Sequence, residues 1–139
     1  MSAHQSSYSP PAWCAISGDL YRRVLNREAV AVTKRDRKRG GGYRVKDALD
    51  AIHGAFHRST GIDPYDGMAM DVRCLVLPVE PSQQWRCPVV GHRRLELIAD
   101  FEIVSKQTQQ AKGSMTAEDY INHCKAVVLY AERCGRLQA

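Results

Sequence analysis

The chain has 139 residues and a mass of 15.6 kDa, which is enough for one domain with a hydrophobic core of its own. Charged residues make up 25% and hydrophobic residues 44%, and no apolar run approaches the roughly twenty residues of a membrane span, which argues against a membrane partner. The formal net charge of +5 favours an acidic partner, of which nucleic acid is the commonest.

The first residues and the cysteines indicate where the protein works. Residues 1–12 are rich in Ser and Pro and predict a flexible arm, with neither the basic start nor the apolar stretch of a secretory signal. The five cysteines are odd in number and form no CxxC pair: Cys14, Cys74, Cys87, Cys124 and Cys134. We therefore expect a cytoplasmic protein with free thiols.

A first helix is predicted from Ser17, an N-cap residue with Asp19 in the following turn. Its apolar face is defined by Leu20, Val24 and Leu25 and continues through Ala31. A dense basic run follows at residues 34–39, KRDRKR, and three glycines at 40–42 end it. Residues 13–42 are thus interpreted as an N-terminal helix followed by a basic, Gly-rich linker.

A second helix has the clearest periodicity in the chain. Its apolar stripe comprises Val45, Leu49, Ile52 and Phe56. His53 and His57 lie four residues apart and could bind zinc, but Gly54 stands where a metalloprotease motif has glutamate, and no third ligand is evident. We interpret both histidines as partly exposed helix residues that tolerate contact with phosphate.

Shorter elements follow this helix. Residues 60–71 form a turn around Asp63-Pro64 and Asp66-Gly67. Residues 72–79 are rich in β-formers and predict a strand at an edge, because prolines close it. Two short apolar runs within residues 87–104 predict a small antiparallel hairpin. A last helix has Thr116 as N-cap and Gly135 past its end. Its predicted buried stripe comprises Ile121, Cys124, Val128 and Ala131.

The stretch from Pro88 to Lys112 has a recognisable order: an apolar strand ending at His92, a turn, a second strand, and a polar helix start with Gln109 and Lys112. Upstream, a G-x-DPY-x-G turn spans Gly61 to Gly67. In this order residues 43–130 resemble a group of bacterial HNH endonuclease-like proteins. The resemblance implies an α+β fold with N-terminal helices, a small antiparallel hairpin, a C-terminal helix and a ββα core, with residues 43–139 as the HNH-like domain.

The resemblance also implies a chemistry: His92 as the general base of phosphodiester hydrolysis, assisted by a divalent cation such as Mg²⁺ or Mn²⁺. Two positions depart from the family pattern. Gly91 replaces the acidic residue before the histidine, and Gln109 falls where Asn or His is usual. Gln109 and Asp100 remain as candidate metal ligands, with Glu96 as a further carboxylate, although hard cations prefer a carboxylate beside the histidine.

These departures predict a catalytically impaired HNH-like protein that binds nucleic acid, DNA more readily than RNA, and holds no cofactor. The predicted nucleic-acid-binding residues are Lys34, Arg35, Arg37, Lys38, Arg39, Arg93, Arg94 and Lys112. One alternative is a protein-binding inhibitor or adaptor of a nucleic-acid-handling complex, for instance in phage–host conflict. Another is a metal-dependent DNA endonuclease that is still active.

Overall fold

The computed structural model describes residues 8–94 and 97–137 and has an α+β architecture. Two long helices, α1 (Gly18–Arg37) and α2 (Val45–Arg58), precede an antiparallel hairpin of β1 (Pro88–His92) and β2 (Phe101–Ser105). A short helix α3 (Lys106–Lys112) and a longer helix α4 (Ala117–Arg133) follow. The predicted fold class is confirmed at this level.

The helix starts follow from local capping. The Ser17 hydroxyl accepts a hydrogen bond from Leu20 N at the start of α1. Ser105 and Thr116 cap α3 and α4 in the same way, through Thr108 N and Asp119 N. Each hydroxyl satisfies one of the backbone donors that a helix start leaves unpaired. The predicted starts at Ser17 and Thr116 are therefore confirmed.

The core lies between the two long helices and one face of the hairpin. Its largest fully buried side chains are Tyr21, Leu25, Ile52, Phe56, Phe101 and Val104. Leu25, Ile52 and Phe56 were expected from helical periodicity, but the buried face of α2 is rotated towards Ala48 and Ala55, which leaves Val45 39% exposed. Small residues on that face let α1 and α2 approach closely.

The N-terminal arm, where it is described, packs on α2. The Trp13 ring stacks on Phe56, and its indole N–H donates to the Phe56 carbonyl at 3.0 Å. His57 Nε2 lies 2.7 Å from the Ser9 carbonyl, and His53 Nδ1 lies 2.8 Å from the Tyr21 hydroxyl. Both histidines are thus engaged in packing the arm and α1. Residues 1–7 of the predicted flexible arm lie outside the described residues.

The hairpin has the predicted antiparallel pairing, with Gly91 opposite Glu102 and His92 opposite Phe101. Asp63, in the turn that precedes it, is fully buried and fixes the end of β2. Its carboxylate accepts from Ser105 N at 2.7 Å and from the backbone N–H groups of Tyr65 and Asp66 at 2.8 and 3.0 Å. The Asp-Pro turn is therefore tied to the sheet through one buried side chain.

The strand predicted at residues 72–79 is wrong. Val72–Leu75 forms a 3₁₀ turn, and Pro81–Arg86 forms a second one. The Asp71 carboxylate caps the first turn by accepting from Arg73 N, and this local bond competes with strand pairing. A run of β-formers that pairs with no strand gains nothing from its β propensity.

The expectation of free thiols is wrong for two of the five cysteines. Cys74, in the first 3₁₀ turn, forms a disulfide with Cys87, which directly precedes β1, and their Cα atoms are 5.3 Å apart. Cys14, Cys124 and Cys134 are free, and Cys14 is buried in the core. The disulfide closes a loop of irregular chain that lacks regular backbone pairing.

The buried stripe predicted for the last helix is also wrong. No residue of α4 is buried, and Ile121 and Val128 are 55% and 44% exposed. Tyr120, near the helix start, packs edge-on against Tyr65, whereas α3, not α4, contacts both strands of the hairpin. Gly135, at φ 73°, ends the helix as predicted. Within the described part of the chain, no helix is long and apolar enough to cross a membrane.

Candidate functional site

A strongly basic pocket of about 370 Å³ opens where α1, the end of β1 and α3 meet. Four cationic side chains line it: Arg35 and Arg39 from α1 and the residues after it, Arg94 from the turn after β1, and Lys112 from α3. The rest of the described lining is uncharged apart from the titratable His92: His92, Leu97, Gln109, Gly113, Ser114 and Met115. None of the described residues that line the pocket carries a carboxylate. Asp100, outside the lining, offsets part of the Arg94 charge at 3.4 Å, and the remaining excess of positive charge favours an anion.

The pocket gathers six of the residues proposed from the sequence, although they are far apart along the chain. Lys34, Arg37 and Lys38 are exposed on or next to α1, outside the pocket lining. Arg93 lies near Asp100 instead, with a nitrogen 3.4 Å from the carboxylate. The basic run is therefore helical, and only part of it faces the hairpin.

Arg39 reaches the pocket because α1 ends sharply. The N–H groups of Gly40 and Gly41 bond back to the carbonyls of Arg37 and Asp36 at 3.2 and 2.8 Å. Gly40 has φ 98°, a left-handed conformation that residues with a side chain rarely adopt. The glycines therefore form a tight helix end close to the hairpin.

Beside the pocket lies a buried carboxylate that sequence reasoning missed. Asp36 is 1% exposed, and its Oδ2 lies 2.6 Å from His92 Nε2 and accepts a hydrogen bond from the Tyr43 hydroxyl. The contact with His92 has an ion-pair distance without the alignment of a hydrogen bond. A signal was present in the sequence, since Leu25, Ala29, Val32 and Asp36 continue one helical stripe at spacings of four, three and four.

His92 is held with its nitrogens covered. Its ring packs against Phe101 at a centroid distance of 5.1 Å, and both ring nitrogens are buried. Nδ1 has no hydrogen-bond partner among the described residues. A general base must present a nitrogen to the attacking water, and His92 in this conformation does not. Its evident role is to join the end of β1 to Asp36 of α1.

The two departures from the HNH pattern are in direct contact. Gly91 is buried on β1, and a Cβ added there would lie 2.4 Å from Gln109 Oε1. Its backbone is extended, without a positive φ, so the absence of a side chain serves the close approach of Gln109. The glutamine amide thus occupies the space that an acidic side chain at position 91 would need.

The candidate metal ligands do not form a cation site. The carboxylate of Asp100 lies 3.4 Å from nitrogens of both Arg93 and Arg94. Glu96 lies outside the described residues. Among the residues that the structure describes, no group of three His, Cys, Asp or Glu side chains could hold a metal ion. The four cations around the pocket would also repel Mg²⁺ or Mn²⁺, so the residues present do not fit a divalent metal.

Lys112 connects the pocket to a second polar group behind it. Lys112 is 5% exposed, and its positive charge acts to lower the pKa of Glu102 on β2. Burial raises the pKa of Glu102 above its usual range. The Tyr65 hydroxyl, which donates to Glu102 at 2.7 Å, and the charges of Lys112 and Arg93 lower the pKa, but burial has the larger effect. Glu102 therefore offsets part of the Lys112 charge.

Comparison with protein-family models, curated proteins and solved structures gave no match. The functional inference therefore depends on the residues and geometry of this chain.

Rebuilding the ligand pair tests whether Gly91 and Gln109 depend on each other. Gly91→Asp alone should be destabilising, because the new side chain overlaps the Gln109 amide. Gln109→Asn shortens the side chain that carries this amide, so the double variant should recover much of the lost stability. Urea unfolding should give a coupling free energy of about 1 to 3 kcal/mol between the two substitutions. If the two substitutions changed the free energy of unfolding additively, the inferred contact between Gly91 and Gln109 would be wrong. Magnesium-dependent plasmid cleavage by the double variant but not by wild type would support HNH ancestry.

Proposed function

We propose that this protein is a catalytically impaired, HNH-nuclease-like domain that binds nucleic acid through the basic pocket. The observation that carries the proposal is the convergence of Arg35, Arg39, Arg94 and Lys112 on one concavity without a carboxylate in its described lining. Phosphate groups are the anions that several arginines and lysines recognise best, through charge-assisted hydrogen bonds. Nucleic acid supplies such groups in a row.

The strand, strand and helix order of residues 88–112 supports an HNH-like ββα core. In this arrangement Gly91 of β1 faces Gln109 of α3, the two places where the family pattern puts metal ligands. The amide fills that space, and His92 contacts Asp36 with its nitrogens buried. These contacts favour binding without cleavage, so neither Mg²⁺ nor Mn²⁺ is part of the proposed function.

A specific observation favours a second candidate, a protein-binding inhibitor or adaptor. The second half of α4 exposes several large apolar side chains on an otherwise polar surface: Val127, Val128, Leu129 and Tyr130, each between 44% and 58% exposed. These consecutive positions lie around the whole helix, and exposed apolar area of this kind is typical of a segment that a partner protein covers. The two candidates use different surfaces, so a partner protein captured after nuclease digestion of the lysate, and lost on Val128→Ser with Leu129→Ser, would favour the adaptor.

Nucleic-acid binding should depend strongly on salt and on the pocket. With four phosphate contacts, a roughly fourfold rise in salt concentration should lower the affinity roughly a hundredfold, because each contact releases counterions on binding. Arg39→Gln with Arg94→Gln should weaken binding of a labelled DNA duplex by about tenfold at low salt and reduce the slope of log K against log salt by about two. Fluorescence anisotropy measures both quantities.

The matched control is Arg133→Gln with Arg136→Gln, which removes the same charge from exposed positions at the end of α4. It should change the affinity much less than the pocket variant does. Equal losses in the two variants would mean that net charge alone attracts nucleic acid. Binding that does not respond to salt would count directly against the proposal.

A further inference from the structure

The outward face of α1 carries a row of cations that the pocket does not use. Arg23, Arg27, Lys34 and Lys38 follow one another at spacings of four, seven and four, which places them within a sector of roughly 60° around the helix axis. All four are exposed. Lys38 lies just past the last helical residue but keeps a right-handed helical backbone, so it continues the row. We call these four residues the α1 stripe.

The α1 stripe lies opposite the buried face of the helix. That face comprises Tyr21, Val24, Leu25, Ala29, Val32, Thr33 and Asp36. Between residues 23 and 38 the acidic residues are Glu28 and the buried Asp36. Arg27 Nε lies 3.4 Å from the Glu28 carboxylate in an exposed pair, which contributes little and is easily exchanged for another anion. The stripe is therefore a face of one charge sign that points away from the protein.

The stripe also has an internal pattern. Arg23 and Arg27 form one pair of cations, and Lys34 and Lys38 form another, with pair centres about 16 Å apart along the axis. Between them lie exposed side chains without charge, Val30 and Ala31, the former 53% exposed. The centre of the stripe thus offers apolar groups, while both ends offer positive charge.

We propose that the α1 stripe binds B-form DNA, with α1 crossing the major groove. A major groove is about 12 Å wide and admits an α-helix, so long Arg and Lys side chains at the two ends of the stripe reach the phosphates on either side. Val30 and Ala31 then face the base edges, where apolar side chains can contact thymine methyl groups. The deep, narrow major groove of A-form RNA does not admit the helix.

The inference rests on the proposed function and adds the class of nucleic acid and the surface that recognises it. Arg35 links the two surfaces, since it lies on α1 and lines the basic pocket. A duplex on the stripe would therefore extend towards the pocket. The stripe and the pocket contribute separate phosphate contacts, so their variants can be told apart.

The test compares Arg23→Gln with Arg27→Gln against the same α4 control, Arg133→Gln with Arg136→Gln. The probes are a mixed-sequence DNA duplex, an RNA duplex of the same sequence and the single DNA strand. Wild type should bind the DNA duplex most tightly. The stripe variant should lose about tenfold for the DNA duplex and reduce its salt slope by about two, with a much smaller change for the single strand. All substituted positions are exposed, so circular dichroism should show an unchanged helix content.

Two results would overturn the inference: a stripe variant that binds the DNA duplex no worse than the α4 control does, or a wild type that binds RNA duplex or single strand as tightly as DNA duplex. The pocket variant distinguishes this failure from failure of the proposed function. If only the pocket variant loses binding, the proposal for the α1 stripe is refuted and the proposed function stands. If only the stripe variant loses binding, the α1 stripe is the binding surface and the proposed role of the pocket is refuted.

Discussion

Asp36→Ala is expected to lower the free energy of unfolding by about 3 to 5 kcal/mol, the usual loss when one partner of a buried charged contact is removed. The Tyr43 hydroxyl donates to Asp36 and also lies 3.2 Å from the Val32 carbonyl, which it keeps as an acceptor after the substitution. His92 Nε2, 2.6 Å from Asp36, loses the carboxylate that it contacts in the buried site. Urea unfolding at neutral pH measures the change. The variant should lose stability even though Ala has a higher helix propensity than Asp.

Asp19→Ala is the matched control for Asp36→Ala. Asp19 lies on the same helix and contacts Arg22, but its side chain is 84% exposed, so its loss should cost about 1 kcal/mol or less. His92→Ala should share much of the effect of Asp36→Ala, because it removes the other side of the same contact, and the double variant should lose less than the sum of the two. If Asp36→Ala were no more destabilising than Asp19→Ala, the proposed link between α1 and β1 would have to be abandoned.

Asp63→Asn should be the second large effect, a loss of about 2 to 4 kcal/mol at neutral pH. Both carboxylate oxygens of Asp63 accept from backbone N–H groups, those of Ser105, Tyr65 and Asp66. An amide replaces one acceptor by a donor, which must then face an N–H group inside the protein. Urea unfolding of both proteins gives the difference directly.

The Asp63 effect should also depend on pH. Burial raises the pKa of Asp63, but the backbone donors of Ser105, Asp66 and Tyr65 and the side chain of Thr108 lower it, and the net shift is downward. A carboxyl with a lower pKa in the folded state stabilises the protein above its unfolded pKa, about 3.9, and loses that contribution as the pH falls through the folded pKa. The gap between wild type and Asp63→Asn should therefore narrow in acid. A gap that stays constant there would mean that the charged form of Asp63 is not what stabilises the turn.

Asp36 shows why the candidate site was only partly visible in the sequence. The basic residues could be identified because Lys and Arg are read directly from the sequence. The apolar run that ends at His92 indicated the position of that histidine at the end of a strand. Asp36 looked like one acid in a basic run, and its burial depends on where β1 lies against α1. The coupling of Gly91 to Gln109 depends likewise on the packing of α3 against the hairpin.

By itself the sequence determined the elements whose causes are local. Ser17 and Thr116 cap their helices, the helical periodicity places Leu25, Ile52 and Phe56 in the core, and two short apolar runs pair as a hairpin. Capping and periodicity act over three or four residues, so they can be identified without knowing the fold.

Only the tertiary structure decided which apolar surfaces found a partner and which distant groups met. The predicted stripe of α4 has the same spacing as a buried one, but none of its residues is buried, and the β-formers at residues 72–79 pair with no strand. Cys74 and Cys87 pair because the 3₁₀ turn brings them together. Burial, disulfide pairing and the Asp36 contact with His92 are relations between segments far apart in the chain, and they depend on chain topology more than on local pattern.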